Sequence, residues 1–219
     1  MPEEADRSRP RDIPVAELGS TPSPRFAALD AARGVALAAM VVFHCAFDLD
    51  SLGLAALDVG GSPGWRSFAR LIASSFLALS GVSLVIAHGR AIRFEAYFRR
   101  LAILVGAAAL VTLGTWYAMP RQFIFFGILH SIAVANLVGL AFLKAPWPVT
   151  LIAALLALAA PSLLASPALD APFLRWLGLG TTLPVTLDFE PVFPWLAPFL
   201  LGMAVAQLAL PRFARSRLA

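Results

Sequence analysis

One apolar stretch, residues 27–48, constrains the fold more than any other part of the chain. As an α-helix this stretch would span about 33 Å, enough to cross the hydrocarbon core of a bilayer. Four ionisable residues interrupt it: Asp30, Arg33, His44 and Asp48. Such residues are unfavourable in hydrocarbon, so we expect them to face the interior of a helix bundle or a wet cavity. At about 100° per residue, Arg33 and His44 share one face, with the carboxylates one turn away. The stretch therefore predicts a spanning helix with a polar stripe.

The composition of the whole chain agrees with a membrane protein. Hydrophobic residues make up 59% of the sequence and charged residues 14%, whereas soluble domains contain about 45–50% and 25%. Lys and Arg are concentrated in the tails and in the loops of one side, so the positive-inside rule predicts that both termini are cytoplasmic. The apolar runs predict an all-α polytopic membrane protein with about six transmembrane helices, near residues 27–48, 65–87, 101–117, 123–143, 147–164 and 194–210.

Three regions follow from this pattern. Residues 1–24 are charged and rich in proline, which predicts a disordered cytoplasmic tail without the apolar core of a signal peptide. Residues 25–211 form the predicted transmembrane domain, and residues 212–219 a basic cytoplasmic tail. The single cysteine, Cys45, excludes an internal disulfide, and no cluster of Cys or His indicates a metal site. The net charge of +4 needs no nucleic-acid partner, because membrane topology explains where the basic residues occur.

His44 is the leading candidate for chemistry. Asp48 lies one helical turn beyond it, and an imidazole with a carboxylate is a common general base because the acid stabilises the protonated ring. His130 is the second intramembrane histidine. It either holds helices together or completes a polar cavity with His44, the interpretation we favour. Asp188 and Glu190, before the last span, are either solvated charges or part of a lid or acceptor site.

Arg33 also has two interpretations. It is either an interfacial anchor paired with Asp30 or a cation that grips an anionic cofactor entering from the cytoplasm. The basic loop that contains Arg90 and Arg93 would line the same entrance, although topology alone also explains its charges. The sequence by itself leaves both alternatives open.

Four motifs carry a resemblance to a known family. RFAALDAARGVALAAMVVFH, FLALSGVSL, FGILHSIAVAN and DFEPVFPWLAPFLLG occur in this order between residues 25 and 202. They resemble the bacterial branch of the heparan-α-glucosaminide N-acetyltransferase catalytic-domain family. The spacing from Arg33 to His44 is also similar to the Arg/Lys-to-His signature of a wider group of membrane-bound acyltransferases. The resemblance implies that acyl-CoA binds from the cytoplasm, with Arg33 as the cation on the CoA side and His44 as the catalytic histidine.

The resulting hypothesis is a multi-pass acyltransferase of the bacterial inner membrane. Its donor would be acetyl-CoA, and its acceptor is unidentified, with a sugar or glycolipid as candidates. Because the resemblance describes ancestry, heparan itself is not carried over as the substrate. A homodimer would help six spans to enclose the reaction path. The alternatives are a transporter with an intramembrane Asp-Arg-His relay and a non-catalytic membrane scaffold. The candidate catalytic residues are His44, Asp48 and His130, and the candidate donor-binding residues are Arg33, Asp30, Arg90 and Arg93.

Overall fold

The computed structural model describes residues 24–89 and 91–215. The predicted N-terminal tail up to residue 23, Arg90 and residues 216–219 lie outside the described residues. The described residues contain no β-strand, and the all-α prediction is confirmed. The α-helices are α1 (Pro24–Ser51), α2 (Pro63–His88), α3 (Phe94–Ala118), α4 (Ile128–Phe142), α5 (Trp147–Leu164) and α6 (Val192–Arg215), and two short 3-10 helices, Pro167–Asp170 and Arg175–Leu177, lie between α5 and α6.

Five of these helices, α1, α2, α3, α5 and α6, are long and apolar enough to cross a membrane. α5 has the predicted bounds. α3 begins at Phe94, earlier than predicted, and α6 continues to Arg215, into the predicted basic tail. A helix can extend past the hydrocarbon because long basic side chains at its end reach water. The apolar run therefore marks the membrane-embedded part of a helix and not its ends.

α4 is the exception, because it has only 15 residues. That length gives about 22 Å, short of the roughly 30 Å of a hydrocarbon core. The prediction of a helix from residue 123 is wrong. Residues 122–126 lie outside any helix and run beside residues 187–190. Backbone hydrogen bonds join the two stretches, with a parallel bridge between Phe126 and Phe189. We call these two stretches the paired segments. Such pairing satisfies backbone groups that a helix would satisfy internally.

α2 and α6 form the centre of the bundle. A side chain added at Gly81 would collide with the backbone of Phe199, and one added at Gly202 would collide with the backbone of Ala78. Gly81 and Gly202 therefore permit close contact of α2 and α6, as is usual for small residues between membrane helices. Leu77 and Phe199 are fully buried beside this contact.

α1 lies at the edge of the bundle and packs against α2. Ala36 and Ala46 are buried, and Phe43 is half-buried. At about 100° per residue, Arg33 and His44 fall on one flank of this packed face, about 60–80° from Ala36. The polar stripe therefore borders the α2 contact, with one side chain near each end of the helix.

Candidate active site

Asp188, in the second paired segment, is anchored to the start of α4. Its Oδ2 accepts a hydrogen bond of 3.0 Å from the backbone N–H of Ile128, the first residue of α4. A helix N-terminus favours a negative charge, so α4 supports Asp188 electrostatically as well. A side chain at Gly127 would collide with this carboxylate, so glycine is required for the approach. The start of α4 thus fixes the position of Asp188.

Asp188 lies within electrostatic range of His44 on α1. Burial raises the pKa of Asp188, while the hydrogen bond from Ile128 and the His44 imidazole oppose the increase. Asp48, the carboxylate expected to orient His44, is exposed on α1, and its side chain makes no hydrogen bond to another described residue. Asp188 therefore lies within electrostatic range of His44, although the two side chains form no ion pair or hydrogen bond in the described part of the chain, and the sequence analysis missed this proximity. The role of Asp48 stays a prediction.

Glu190 is the second carboxyl group at this end of the bundle. Its Oε2 is buried and has no hydrogen-bond partner among the described residues. Burial, together with repulsion from Asp188, raises the pKa of Glu190 to about 9, although Arg70 on α2 acts in the opposite direction. The interpretation of Asp188 and Glu190 as ordinary solvated charges is wrong. We call His44, Arg70, Asp188 and Glu190 the His44 cluster.

His130 lies in the first turn of α4, where both of its ring nitrogens are occupied. The backbone N–H of Gly127 donates to Nδ1 at 3.3 Å, so Nε2 carries the hydrogen and donates to Thr112 Oγ1 at 3.2 Å. Thr112 in turn donates to the carbonyl of Ile124 at 2.8 Å. This chain ties α3 to the first paired segment. The geometry matches the structural interpretation of His130, and proton transfer by this ring would require one of these bonds to break.

Arg33 occupies the other end of the α1 stripe. Its Nη1 donates to Asp30 at 2.9 Å, so the predicted pairing of these residues is present. Its Nη2 donates to Ser83 on α2 at 2.6 Å, and Ser83 donates to the carbonyl of Leu79. The Arg33 side chain is nevertheless 45% exposed. A guanidinium has five N–H donors, so Arg33 keeps donors for a ligand while it is anchored to α2.

A groove with a volume of about 480 Å³ opens beside the end of α2 and the start of α3. His88 accepts a hydrogen bond of 3.3 Å from the backbone N–H of Arg93 on its Nδ1, so its Nε2 carries the hydrogen. Arg100 lies within electrostatic range of Arg33. Arg90 falls outside the described residues, so only Arg93 of the predicted pair is placed. We call this the cationic groove; its charged and titratable lining residues are His88, Arg93, Arg99 and Arg100.

The two sites are therefore joined by one helix. Arg33, beside the cationic groove, and His44, beside Asp188, are 11 residues apart on a single flank of α1, which corresponds to about 16 Å along the axis. A family model described as heparan-alpha-glucosaminide N-acetyltransferase, catalytic, matches residues 25–219. The chain belongs to this family. No curated protein and no solved structure gives a significant match.

Membership places the chain in a family of membrane N-acetyltransferases and implies transferase activity. A transferase needs one group that receives the proton of the acceptor and another that holds the donor. In this N-acetyltransferase family member the His44 cluster suits the first task, because it combines an imidazole with a fixed carboxylate. The cationic groove suits an anionic donor.

Proposed function

We propose that the protein is an acyl-CoA-dependent acyltransferase of the bacterial inner membrane. It would transfer an acyl group, acetyl in our proposal, from cytoplasmic acyl-CoA to a hydroxyl or amine acceptor at or beyond the far face, with a sugar or glycolipid as candidate acceptors. The observation that carries the proposal is the placement of Arg33 and His44 on one flank of α1. The first lies within electrostatic range of the cationic groove, and the second within range of a buried carboxylate.

The donor half of the proposal rests on charge. CoA carries several phosphate oxygens, and guanidinium groups bind phosphate with two parallel hydrogen bonds. Arg93, Arg99 and Arg100 line one groove, and Arg33 lies near it. The volume of about 480 Å³ suits part of a cofactor-sized ligand. The thioester end of the donor would then extend along α1 toward His44.

The chemical half rests on His44. In the proposed reaction, the hydroxyl oxygen or amine nitrogen of the acceptor attacks the thioester carbonyl, and His44 takes up the proton that this atom loses. The C–S bond breaks, and the CoA thiolate leaves and takes the proton from the imidazolium. Asp188 stabilises that imidazolium, as a buried carboxylate does in a catalytic triad. Transient acylation of His44 would use the same residue as a nucleophile. Asp48 is proposed as a further carboxylate beside the ring, and His130 as the residue that positions α4.

The test is a measurement with purified protein in lipid nanodiscs and radiolabelled acetyl-CoA. We expect saturable binding and slow release of the CoA thiol, which His44→Ala abolishes without loss of binding. Cys45→Ala is the matched control, because Cys45 is an adjacent exposed nucleophile about 100° away around the helix. Absence of acetyl-CoA binding by the folded wild-type protein would contradict the proposal. Solute flux through proteoliposomes would then favour the transporter, and its absence the scaffold.

A further inference from the structure

Glu190, a member of the His44 cluster, has a buried side-chain oxygen that lacks a hydrogen-bond partner in the described part of the chain. Its backbone N–H donates to Phe126 at 3.1 Å, so the paired segments fix its position. Its Oε2, however, makes no hydrogen bond among the described residues. A buried polar atom without a partner is unfavourable by about 1–3 kcal/mol and calls for an explanation. A rigid backbone with an unpartnered carboxyl oxygen is the arrangement expected of a ligand-binding group.

The surroundings of Glu190 come from four elements. Asp188, two residues earlier in the same paired segment, and Arg70 on α2 lie within electrostatic range of Glu190, and His44 on α1 lies within range of Asp188. His130 is the titratable residue at the start of α4, and both of its nitrogens are already engaged. Among these groups, His44 is the base of the proposed reaction. Glu190 therefore belongs to the same cluster, but the proposed reaction assigns it no role.

We propose that Glu190 is the acceptor-binding group of the site, and that its unpartnered buried oxygen holds a hydroxyl or amine of the acceptor beside His44. The inference rests on the proposed function and adds the residue that selects the acceptor. It also defines the chemical class of the acceptor, which must carry an O–H or N–H that can be shared between an imidazole and a carboxyl group.

Hydrogen-bond directions explain why Glu190 should act in its neutral form. A hydroxyl has one hydrogen, and in the reaction that hydrogen must point to His44. Its lone pairs then need a donor, which a neutral carboxyl supplies and a carboxylate does not. The raised pKa of Glu190, about 9, caused by burial and Asp188, agrees with a neutral carboxyl at pH 7. An ionised Glu190 would draw the hydroxyl hydrogen away from His44.

The first experiment measures acetyl transfer from acetyl-CoA to glucosamine, a probe with hydroxyls and an amine, as a function of pH. We expect Glu190→Ala to raise KM for glucosamine about 3- to 10-fold, the range of one hydrogen bond, with the Kd for acetyl-CoA unchanged. Glu190→Gln keeps a donor and stays neutral. At pH 7 it should raise KM for glucosamine less than Glu190→Ala does, and it should lack the decline in transfer that wild type shows as pH approaches 9. Glu95→Gln, at an exposed glutamate of α3, is the matched control.

The second experiment separates this inference from the proposed function. Infrared spectroscopy of the purified protein should show a protonated-carboxyl band at pH 7 that is absent in Glu190→Gln and shifts when glucosamine is added. A missing band, or a band that saturating glucosamine does not shift, overturns the inference even if transfer occurs. Equal loss of transfer in the Gln and Ala variants also overturns it. If the band shifts while wild type transfers no acetyl group, the proposed function fails and the binding role of Glu190 stands.

Discussion

The carboxyl groups of the His44 cluster are largely buried, whereas the arginines of the cationic groove are exposed. In the cluster, Asp188 is fixed by the N-terminus of α4, and Glu190 has a buried oxygen without a hydrogen-bond partner among the residues that the structure describes. In the groove, Arg93, Arg99 and Arg100 are exposed, on long flexible side chains. A low-dielectric environment strengthens every electrostatic interaction, whereas exposed charges are screened by water and salt. His44 itself is exposed on α1, but the two carboxyl groups of the cluster are largely buried, so one substitution there should have a large effect, whereas the groove should lose affinity in small, salt-dependent steps.

The largest effect should follow from replacing His44. Loss of a general base lowers rates by about 10²–10⁴-fold, so His44→Ala and His44→Gln should both lose thiol release while they bind acetyl-CoA normally. Glutamine restores a hydrogen bond but takes up no proton at neutral pH. Single-turnover assays with folded protein would show this. Wild-type rates in His44→Gln would mean that His44 has a structural role, and the contrast between the two sites would disappear.

Asp188→Asn should rank next. The amide oxygen of the substituted side chain can still accept the hydrogen bond from Ile128, so the fold is kept, but the negative charge beside His44 is lost. A charge-assisted interaction is worth about 1.5–3 kcal/mol, so thiol release should fall roughly 10- to 100-fold. Asp48→Asn is the comparison variant, because Asp48 is exposed one turn beyond His44. A greater loss in Asp48→Asn than in Asp188→Asn would restore the carboxylate expected from the sequence.

Arg33→Ala should weaken acetyl-CoA binding by about 10-fold. A charge-assisted contact is worth about 1.5–3 kcal/mol, and the lower end applies because the side chain is 45% exposed and solvent screens it. Equilibrium binding with the radiolabelled donor gives the affinity. Arg121→Ala removes an exposed arginine from the turn after α3 and should leave the affinity unchanged. Equal affinities in both variants would return Arg33 to the anchor interpretation.

Arg99→Ala and Arg100→Ala should each weaken donor binding only about 2- to 5-fold, the range of an exposed ion pair. The decisive measurement is the dependence on salt. Raising the ionic strength should weaken donor binding by wild type, and the double variant should show a smaller dependence. A salt-independent affinity in wild type would show that the groove does not hold the phosphates.

The smallest effect concerns stability and pH. The pKa of Glu190 is raised from an ordinary value of 4.5 to about 9, mainly by burial. Its contribution to stability is therefore complete below pH 4.5 and is lost as pH rises through 9. One pKa unit corresponds to about 1.4 kcal/mol, so part of this shift is enough to lower the melting temperature measurably. Glu190→Gln should flatten this alkaline decline.

The loss of stability at low pH, the acid limb of the pH–stability profile, provides the control for that experiment. Hydrogen bonds from Thr181 and Thr182 lower the pKa of Asp170 from 3.8 to about 2. Asp170 therefore stabilises the protein above pH 3.8, and this contribution is lost as pH falls through 2. Wild type and Glu190→Gln should share the acid limb. A difference between them below pH 4, or an unchanged alkaline decline, would contradict the assignment.

Local patterns were enough to predict the spanning helices and the polar stripe of α1. Length and hydropathy predicted about six spans, and in the described residues five of them are helices long and apolar enough to cross a membrane. The pair between Asp30 and Arg33 was predictable because residues three apart on a helix are neighbours. The family resemblance, carried by four motifs, is confirmed by the match over residues 25–219. These features depend on residues close in sequence or on composition.

The tertiary structure decided which charged residues meet. Asp188 lies within electrostatic range of His44 because the paired segments and the start of α4 hold it there. Residues 122–126 are not helical, although residues 123–126 are apolar enough for a helix, because they pair with residues 187–190. Arg99 and Arg100 lie on a helix and not in a loop, because α3 begins at Phe94, and from there they line the groove. Such contacts join distant parts of the chain, and no short-range spacing encodes them. The sequence alone determined a membrane bundle with a polar helix, and only the packing of the other helices determined what that helix faces.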